Sequence, residues 1–354
     1  MVSPKRVFKM NTLYNNKEQM NTIEITGKNS TSKILVGESY LNTFKYIKHK
    51  NVVIITDKNL YNIYESFFTN RPTIVLETGE EHKTLKTTEI IYNKFLELNV
   101  DRSWFVLGFG GGIVCDITGY CATTFMRGLD FGFISSSLLS QVDASTGGKN
   151  GVNFGGLKNM VGTFSQPQFV ICDVGLLATL PAEEFDNGFA EIIKHAIIAS
   201  DELFDYLINN RNDIVDLNKE KIKNLVYESV VLKSIIVNND ETEKGERKKL
   251  NFGHTIGHAI EVVANISHGK AIAIGMTLAL KKSAQMGLIS NPQANKAIEL
   301  IKSYDLPTEL KINKQLLAEK IMHDKKSKGN KIDFILIKKI GNAVIHELNI
   351  DEIL

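Results

Sequence analysis

The sequence predicts an α/β region with a wound, mostly parallel, Rossmann-like sheet, followed by an all-α region that carries one small β-hairpin. Between residues 22 and 179, short β-branched runs alternate with helical ones, which is the pattern of parallel strands joined by crossover helices. From Ala182 to Lys302 the apolar spacing is almost entirely helical. A chain of 354 residues is also long for a single core. We therefore predict a domain boundary near Pro181, between residues 21–181 and 182–354.

Five short runs rich in valine, isoleucine and phenylalanine are the strand candidates of the first region. Their ends coincide with Asp, Thr or Gly, and helix-compatible sequence separates several of them. Ligands of such sheets bind at the carboxyl ends of the strands, so the residues that follow each run are candidate site residues. The runs are Asn51–Thr56, Thr73–Leu76, Ser103–Leu107, Phe131–Ile134 and Phe169–Asp173, with a helix over residues 84–98.

The two ends of the chain differ in character. Residues 1–20 are polar and lack the apolar core of a secretory signal, and we predict a disordered extension there. Near the other end, a charged turn over residues 324–329 precedes an apolar run at 331–337 and a second one after Gly341-Asn342, which predicts a hairpin. The three cysteines form no CxxC pair and suggest no disulfide set. A reducing cytoplasm fits these features.

The charge balance argues against a nucleic-acid partner. The chain has 42 Lys and Arg against 40 Asp and Glu, a net charge of +2, and such a balance creates no global field that would gather nucleic acid. The apolar run over residues 271–280 is too short to span a bilayer. We expect neither a nucleic-acid nor a membrane partner.

Three of the eight histidines lie within fifteen positions. His254 and His258 are four residues apart, which would stack both rings on one face if residues 251–263 are helical, and His268 follows the probable helix end. Three protein ligands with imidazole among them are typical of catalytic zinc. The alternative is a pair of capped or surface histidines. The pattern lacks the glutamate of HExxH, so a carboxylate ligand would have to come from elsewhere in the chain.

Two glycine-rich stretches are candidate ligand-binding segments. Residues 108–112 lie between a strand and a helix, where backbone amides can meet a pyrophosphate, but Ile113 stands where the dinucleotide fingerprint requires glycine. A turn without a ligand is the alternative. Residues 135–162 combine hydroxyls, lysines, amides and six glycines with interleaved leucine and valine. Flexible surface loops lack such apolar residues, so we interpret this stretch as a binding segment.

The segment Phe189–Ile198 places charge within an apolar helix. Glu191, Lys194 and His195 share one helical face, and an ordinary amphipathic stripe would account for them. Glu191 becomes a metal-ligand candidate only because the histidines need a carboxylate. Arg247 and Asn251 are spaced i and i+4. If the helix that carries His254 and His258 already includes Arg247, all four side chains point the same way, and a guanidinium lies beside the proposed metal.

With these motifs assembled, the chain resembles the 3-dehydroquinate synthase family and, more widely, the sugar-phosphate cyclases. The motifs are GGGIVCD, LLSQVDASTGGK, GLKNMVG, FAEIIKH, LNFGHTIGHAIE, HGKAIAIGM and DKK, and they cover about residues 50 to 340. The resemblance implies an NAD-binding α/β domain over residues 21–181, a helical metal- and substrate-binding domain over 182–354, and an active site between them.

The resemblance also implies a role for each matching residue. Zinc, with cobalt as the alternative, would be held by Glu191, His254 and His268. The residues matched to substrate binding and catalysis are Asp143, Lys149, Asn159, Lys194, Lys233, Arg247, Asn251, His258 (a polar neighbour of the metal rather than a ligand), Lys325 or its neighbour Lys326, and Arg127, which would reach the other subunit of a homodimer. The residues matched to NAD are Asp57, Glu80, Lys83, Gly111, Gly112, Ile113, Asp116, Ser136, Ser137, Lys158, Thr179 and Leu180.

The implied reaction converts 3-deoxy-D-arabino-heptulosonate 7-phosphate to 3-dehydroquinate and phosphate without net redox change. Asp143 and the Gly-Gly-Lys at Lys149 favour this branch, although an amino-dehydroquinate synthase shares both features. The alternatives within the enzymes are an inosose or valiolone synthase. A polyol dehydrogenase would need neither the phosphate-binding lysines nor Arg247, and the intact metal-ligand candidates argue against a non-catalytic nucleotide-binding relative. The chain departs from the family pattern at Ser135–Ser137, at Cys115 and at Lys270, where an acid usually follows His-Gly.

Overall fold

The computed structural model describes residues 21–27, 31–240, 243–324 and 331–353. The predicted extension over residues 1–20 and the predicted substrate ligand Lys325 lie outside these ranges, as does most of the charged turn at 324–329.

Seven strands of the described chain form one sheet in the order β1-β2-β9-β6-β5-β3-β4. Only β1 and β2 are antiparallel, and every other neighbouring pair is parallel. The prediction of a mostly parallel sheet is confirmed. The strands are β1 (Asn21–Thr26), β2 (Thr31–Val36), β3 (Asn51–Asp57), β4 (Thr73–Leu76), β5 (Trp104–Gly110), β6 (Asp130–Ser135), β7 (Lys149–Phe154), β8 (Leu157–Phe164) and β9 (Phe169–Cys172), and the helices among them are α1 (Lys58–Ile63), α2 (Glu65–Phe68), α3 (Leu85–Glu97) and α4 (Gly112–Thr124).

The strand order reverses beside β3, which pairs with β4 on one side and β5 on the other. The carboxyl ends of β3 and β5 therefore flank the crevice where open α/β sheets bind ligands. Asp57 ends β3, and Gly111 links β5 to α4. A Cβ added at Gly110 would lie 2.3 Å from Val114 Cβ, so only glycine lets the helix begin this close to the strand.

The second half of the described chain is helical except for one antiparallel hairpin. Its helix α5 is buried from Asn187 to Ile198 and contacts α8, α10 and the hairpin, so it forms the centre of this half. The helical prediction and the hairpin prediction are both confirmed. The elements are α5 (Ala182–Ala199), α6 (Asp201–Asn209), α7 (Arg211–Val215), α8 (Lys219–Asn239), α9 (His254–Ala264), α10 (His268–Gln285), α11 (Asn291–Ser303), α12 (Lys314–Asp324), β10 (Lys331–Lys339), β11 (Asn342–Asn349) and α13 (Ile350–Ile353).

The predicted helix over residues 251–263 begins later than expected. Residues Glu246–Asn251 form a 3-10 helix, Phe252 is extended, and Gly253 has a left-handed φ of +78°, so α9 starts at His254. Arg247 and Asn251 therefore do not share a helix with the histidines, and the alignment predicted for them is wrong. The boundary at Pro181 stays a prediction. None of the described helices has the combination of length and apolar content needed to cross a membrane.

The predicted binding segment over residues 135–162 contains two elements that its composition did not indicate. Residues Ser140–Ala144 form a π-helical turn, and β7 and β8 form an antiparallel hairpin that packs on α4. The turn contacts both α5 and α8. It thereby joins the carboxyl edge of the sheet to the helical half of the molecule.

Candidate active site

Three candidate metal ligands converge where three helices meet. Glu191 lies in the middle of α5, His254 begins α9 and His268 begins α10. Their ligand atoms all lie within 4.8 Å of one another. Glu191 Oε1 is 3.4 Å from the Nε2 atom of each imidazole. Two ligands bound about 2.0–2.1 Å from one tetrahedral zinc would be separated by roughly 3.4 Å, so the spacing fits a shared cation.

Two glycines allow α9 and α10 to approach closely enough to place both histidines. A Cβ at Gly275 would lie 2.1 Å from the carbonyl oxygen of Gly253, and one at Gly253 would lie 2.6 Å from Met276 Cγ. Gly253 also has the positive φ that breaks the chain before α9. Because Gly253 and Gly275 carry no side chains, α9 and α10 pack closely, and this packing sets the distance between His254 and His268.

Hydrogen bonds at the far side of each ring aim its Nε2 atom at Glu191. His254 Nδ1 is 3.1 Å from the carbonyl oxygen of Phe252, and His268 Nδ1 is 3.1 Å from Glu261 Oε2. Both partners are acceptors, so each Nδ1 carries the proton and each Nε2 presents a lone pair. Within the described chain, the fully buried oxygens of Glu191 accept no hydrogen bond of ordinary geometry. This donor set fits a divalent cation.

The charges around Glu191 keep it ionised. Burial alone would raise its pKa, but Lys194, an ion-pair partner one helical turn away, and His254 offset burial and hold the pKa well below its usual range. Burial would lower the pKa of Lys194, yet Glu191 and Asp143 raise it. An anionic carboxylate and a cationic ammonium therefore coexist as an ion pair in the protein interior.

Asp143 lies at the junction of the π-helical turn with α5 and α8. Its Oδ1 is 2.5 Å from Lys233 Nζ on α8 and 3.8 Å from His195 Nε2 on α5. Desolvation acts to raise the pKa of Asp143, but Lys233 and Lys194 hold it well below its usual value. Burial in turn lowers the pKa of Lys233 to about 8, against the opposing effect of Asp143. The structure thus brings together Asp143, Lys194 and Lys233.

A second cluster presents basic and amide groups around Glu243. Lys149 forms an ion pair with Glu243, and Asn251 Nδ2 donates to Glu243 Oε1 at 2.6 Å. Arg247 is buried and donates to the carbonyl oxygen of Gly147 at 3.2 Å. Glu243 was not predicted from the sequence, because its partners are separated from it along the chain by up to 94 positions. Its carboxylate sits where Lys149 and Asn251 converge.

Most residues matched to the nucleotide lie at the carboxyl edge of the sheet or on the hairpin. Lys83 Nζ contacts Asp116 Oδ2 at 2.5 Å and Asn159 Oδ1 at 2.6 Å. Asp57 caps α1 through the amide of Leu60 at 3.0 Å. Four more of these residues have side-chain partners: Glu80 with Asn153 at 2.8 Å, Thr179 with Tyr64 at 2.9 Å, Lys158 with Glu261 at 2.5 Å and Ser137 with Ser140 at 3.1 Å. Gly111, Gly112 and Ile113 lie at the start of α4. Ser136 is buried, and Leu180 packs against the hydrophobic core.

Comparison with known proteins decides the family. A family model described as 3-dehydroquinate synthase N-terminal matches residues 73–187, and one described as 3-dehydroquinate synthase C-terminal matches residues 188–327. A 3-dehydroquinate synthase of Dehalococcoides mccartyi (strain CBDB1) is 40% identical over 336 residues, which cover 89% of this chain and 92% of that one. The chain belongs to the 3-dehydroquinate synthase family. Another member, from Campylobacter concisus, is 43% identical over 276 residues and covers 77% of this chain and 79% of its own.

Solved structures with the same fold include an inosose synthase and a valiolone synthase. A 2-deoxy-scyllo-inosose synthase in complex with carbaglucose-6-phosphate, NAD+ and Co2+ superposes with a TM-score of 0.83 at 23% identity, covering 94% of this chain and 98% of its own. The 2-epi-5-epi-valiolone synthase of Streptomyces hygroscopicus, with NAD+ and Zn2+ bound, gives a TM-score of 0.81 at 24% identity, covering 91% and 94%. At these identities the likeness establishes the fold of the 3-dehydroquinate synthase family and no more.

Of the residues matched to the family's site, Arg127 is not placed with the others, whereas His258 lies beside the candidate metal ligands without joining them, as its assigned role of polar neighbour requires. Arg127 follows the carboxyl end of α4, whereas Gly112 begins that helix at the site, so 13 helical residues and about 20 Å separate them. Its proposed reach into a neighbouring subunit stays a prediction. His258 is exposed, with its ring centroid 5.2 Å from that of His254, and the converging ligand atoms do not include it.

The departures from the family pattern are accommodated locally. Ser135, Ser136 and Ser137 are buried, and Ser135 Oγ lies 2.9 Å from Ser145 Oγ. Cys115 is buried, and its thiol lies 3.7 Å from the carbonyl oxygen of Gly110. Lys270 is partly exposed and pairs at 3.3 Å with Glu183, an exposed carboxylate in the first turn of α5.

Proposed function

We propose that the chain converts 3-deoxy-D-arabino-heptulosonate 7-phosphate to 3-dehydroquinate and phosphate, with NAD and a divalent cation, in the cytoplasm and as a homodimer. One observation carries the proposal: three converging candidate metal ligands, Glu191, His254 and His268, adjoin two clusters of buried or half-exposed cationic groups. A dehydrogenase acting on an uncharged polyol would need the metal site but not the cationic groups. Family membership supports the substrate.

The residues of the chain have distinct tasks in this reaction. Glu191, His254 and His268 would hold zinc, with cobalt as the alternative, and the groups at the carboxyl ends of β3 and β5 would hold NAD. When bound, these two groups supply Lewis-acid polarisation of a ring oxygen and reversible acceptance of a hydride. Asp143, close to the metal ligands, would accept the proton of the ring hydroxyl as that hydroxyl becomes a ketone.

Charge complementarity then positions the rest of the substrate. The ketone acidifies the adjacent C–H, and phosphate leaves by β-elimination; after the ketone is reduced again, ring opening and an intramolecular aldol close the carbocycle. Lys149, Arg247 and Asn251 would bind one anionic end, and Lys194, Lys233 and Asn159 are assigned to the other polar groups. Holding charged and reacting groups in fixed positions lowers the activation free energy of an enzymatic reaction, by roughly 7–11 kcal/mol where the groups are well oriented.

The homodimer is supported by exposed apolar side chains on the β7–β8 hairpin. Phe154, Met160 and Phe164 are each more than half exposed. Burial of such a group against a second copy would be favourable. Sedimentation of the purified protein tests the assembly, and a monomer at micromolar concentration would contradict it.

Phosphate release from the heptulosonate phosphate tests the activity itself. The assay compares the metal-depleted and NAD-free protein with protein given NAD+ and zinc, alone and together. We expect release only with both, with dehydroquinate formed and no accumulation of NADH. Release from glucose 6-phosphate or sedoheptulose 7-phosphate instead would assign an inosose or valiolone synthase, and an aminated product would assign the amino-dehydroquinate branch.

A further inference from the structure

His195 is a buried imidazole that the proposed reaction does not use. It lies on α5 next to Lys194, its side chain is wholly inaccessible, and its Nε2 atom has no hydrogen-bond partner in the part of the chain that the structure describes. An unpartnered polar atom at such depth destabilises the folded state. Such an atom therefore needs an explanation, and its surroundings supply one.

The two ring nitrogens of His195 face different groups. Nδ1 is 2.5 Å from Ser229 Oγ, and Nε2 is 3.8 Å from Asp143 Oδ1. A carboxylate can only accept, so the tautomer with the proton on Nε2 is favoured, and the serine hydroxyl then donates to Nδ1. Burial and Lys194 lower the pKa of His195 to about 3, so the ring is neutral. It offers a donor without adding charge to a site that already holds two lysines.

Asp143 Oδ1 is thus approached from two sides. Lys233 Nζ contacts it at 2.5 Å from α8, and the His195 ring faces it from α5. Ser229 and Lys233 are one turn apart on α8, so a single helix places both the lysine and the serine that orients the imidazole. Rotation about the terminal torsion of an aspartate is soft, and a hydrogen bond from His195, added to the Lys233 contact, would restrict it. The second oxygen, Oδ2, is then held in a fixed direction.

We propose that His195 is a positioning residue, which together with Lys233 fixes the Asp143 carboxylate through Oδ1 so that Oδ2 receives the proton of the substrate hydroxyl. The proposal rests on the proposed function, because it requires that Asp143 meets the substrate. A small movement of either side chain closes the 3.8 Å separation to a hydrogen bond when substrate fills the pocket. Since other groups bind the anionic parts of the substrate, loss of His195 affects turnover more than substrate affinity.

The test compares four variants in the phosphate-release assay with NAD+ and zinc. His195→Phe removes the donor at similar volume, His195→Gln can return an amide N–H near the Nε2 position, Ser229→Ala removes only the orienting hydroxyl, and Asp143→Asn reports the loss expected when the carboxylate itself is removed. We expect kcat to fall about 10- to 100-fold in His195→Phe, with KM within about threefold of the wild-type value. In His195→Gln kcat should return largely to the wild-type value, and in Ser229→Ala it should fall several-fold.

Thermal unfolding of each variant separates positioning from packing. If His195→Phe keeps the wild-type kcat, the proposal is overturned. It is also overturned if kcat falls equally in His195→Phe and His195→Gln and the fall in each variant parallels its decrease in Tm. If His195→Phe fails to fold, Ser229→Ala decides, and an unchanged kcat there overturns the proposal. Absence of phosphate release by the wild type would overturn the proposed function and this inference together, whereas an active wild type with an active Phe variant overturns this inference alone.

Discussion

Lys158 Nζ lies 2.5 Å from Glu261 Oε1, which joins the β7–β8 hairpin to helix α9. The second oxygen of Glu261 lies 3.1 Å from His268 Nδ1. A residue matched to the nucleotide is thereby connected through one carboxylate to a candidate metal ligand. Carboxylates that bind the far nitrogen of a metal-ligating histidine fix its tautomer and raise its basicity. Glu261 therefore belongs to the candidate metal site, although the sequence motifs did not single it out.

Replacing Glu261 by glutamine should weaken metal binding without abolishing it. The amide can still accept from His268 Nδ1, but it carries no charge to stabilise the ligating tautomer and releases Lys158. We expect the dissociation constant for Zn2+ to rise about tenfold, as is common when such outer partners are changed. Chelator competition measures it. Glu183→Gln, which changes an exposed carboxylate paired with Lys270, is the matched control; an equal effect in both variants would contradict the assignment.

Glu191→Gln should remove stoichiometric metal. Glu191 Oε1 lies 3.4 Å from both Nε2 atoms, and its replacement by an amide leaves only two strong ligands and removes the negative charge. We expect Zn2+ content after dialysis to fall well below one per chain, as measured by atomic absorption. His258→Gln is the control, because His258 neighbours His254 without joining the converging ligand atoms, and it should retain one Zn2+. Full zinc in Glu191→Gln would remove this residue from the ligand set.

Lys83→Met should destabilise the protein even without NAD. Lys83 is 4% exposed and its ammonium contacts both Asp116 and Asn159. Removing one partner of a buried ion pair leaves the other charge uncompensated, which typically costs about 3–5 kcal/mol. Since the Asp116 side chain retains some access to solvent, we expect about 2–3 kcal/mol in urea unfolding of the NAD-free protein.

The control for this prediction is a solvent-exposed pair in the same α/β half of the described chain. Lys94 and Glu97 lie 2.6 Å apart on α3, with both side chains at least half exposed, and Lys94→Met should change the free energy of unfolding by less than about 1 kcal/mol. Equal losses in the two variants would show that burial of Lys83 adds nothing.

The sequence predicted the elements whose signals are local. The parallel strands and the helical half follow from apolar periodicity, and the prediction of each of the five runs agrees with a strand of the structure to within about three residues. Residues that act through distant partners were beyond such patterns. Glu261 meets Lys158 across 103 positions, and Glu243 meets Lys149 across 94. Only the tertiary fold shows that these carboxylates face the predicted lysines.

The break before α9 shows how a local pattern can also mislead. Residues 251–263 have acceptable helical spacing, yet Gly253 adopts a left-handed φ because α10 approaches its backbone too closely for a side chain. Tertiary packing therefore overrides helical propensity there. The result separates Asn251, which faces Glu243, from His254, which faces Glu191.

Substrate binding should weaken above about pH 8 because of Lys233. Burial lowers the pKa of this ammonium to about 8, with Asp143 opposing the shift. Below that pH the group is charged and attracts the anionic substrate; as pH rises through the pKa, the charge is lost and KM should increase, by up to tenfold per pH unit if the charge is essential. KM for the heptulosonate phosphate measured from pH 6.5 to 9.5 tests this.

Lys233→Arg is the control for this prediction. Arginine keeps its charge at every accessible pH, so the rise in KM at alkaline pH should disappear in this variant. An identical rise in both proteins would mean that another group titrates, and Lys233 would then be charged throughout this range.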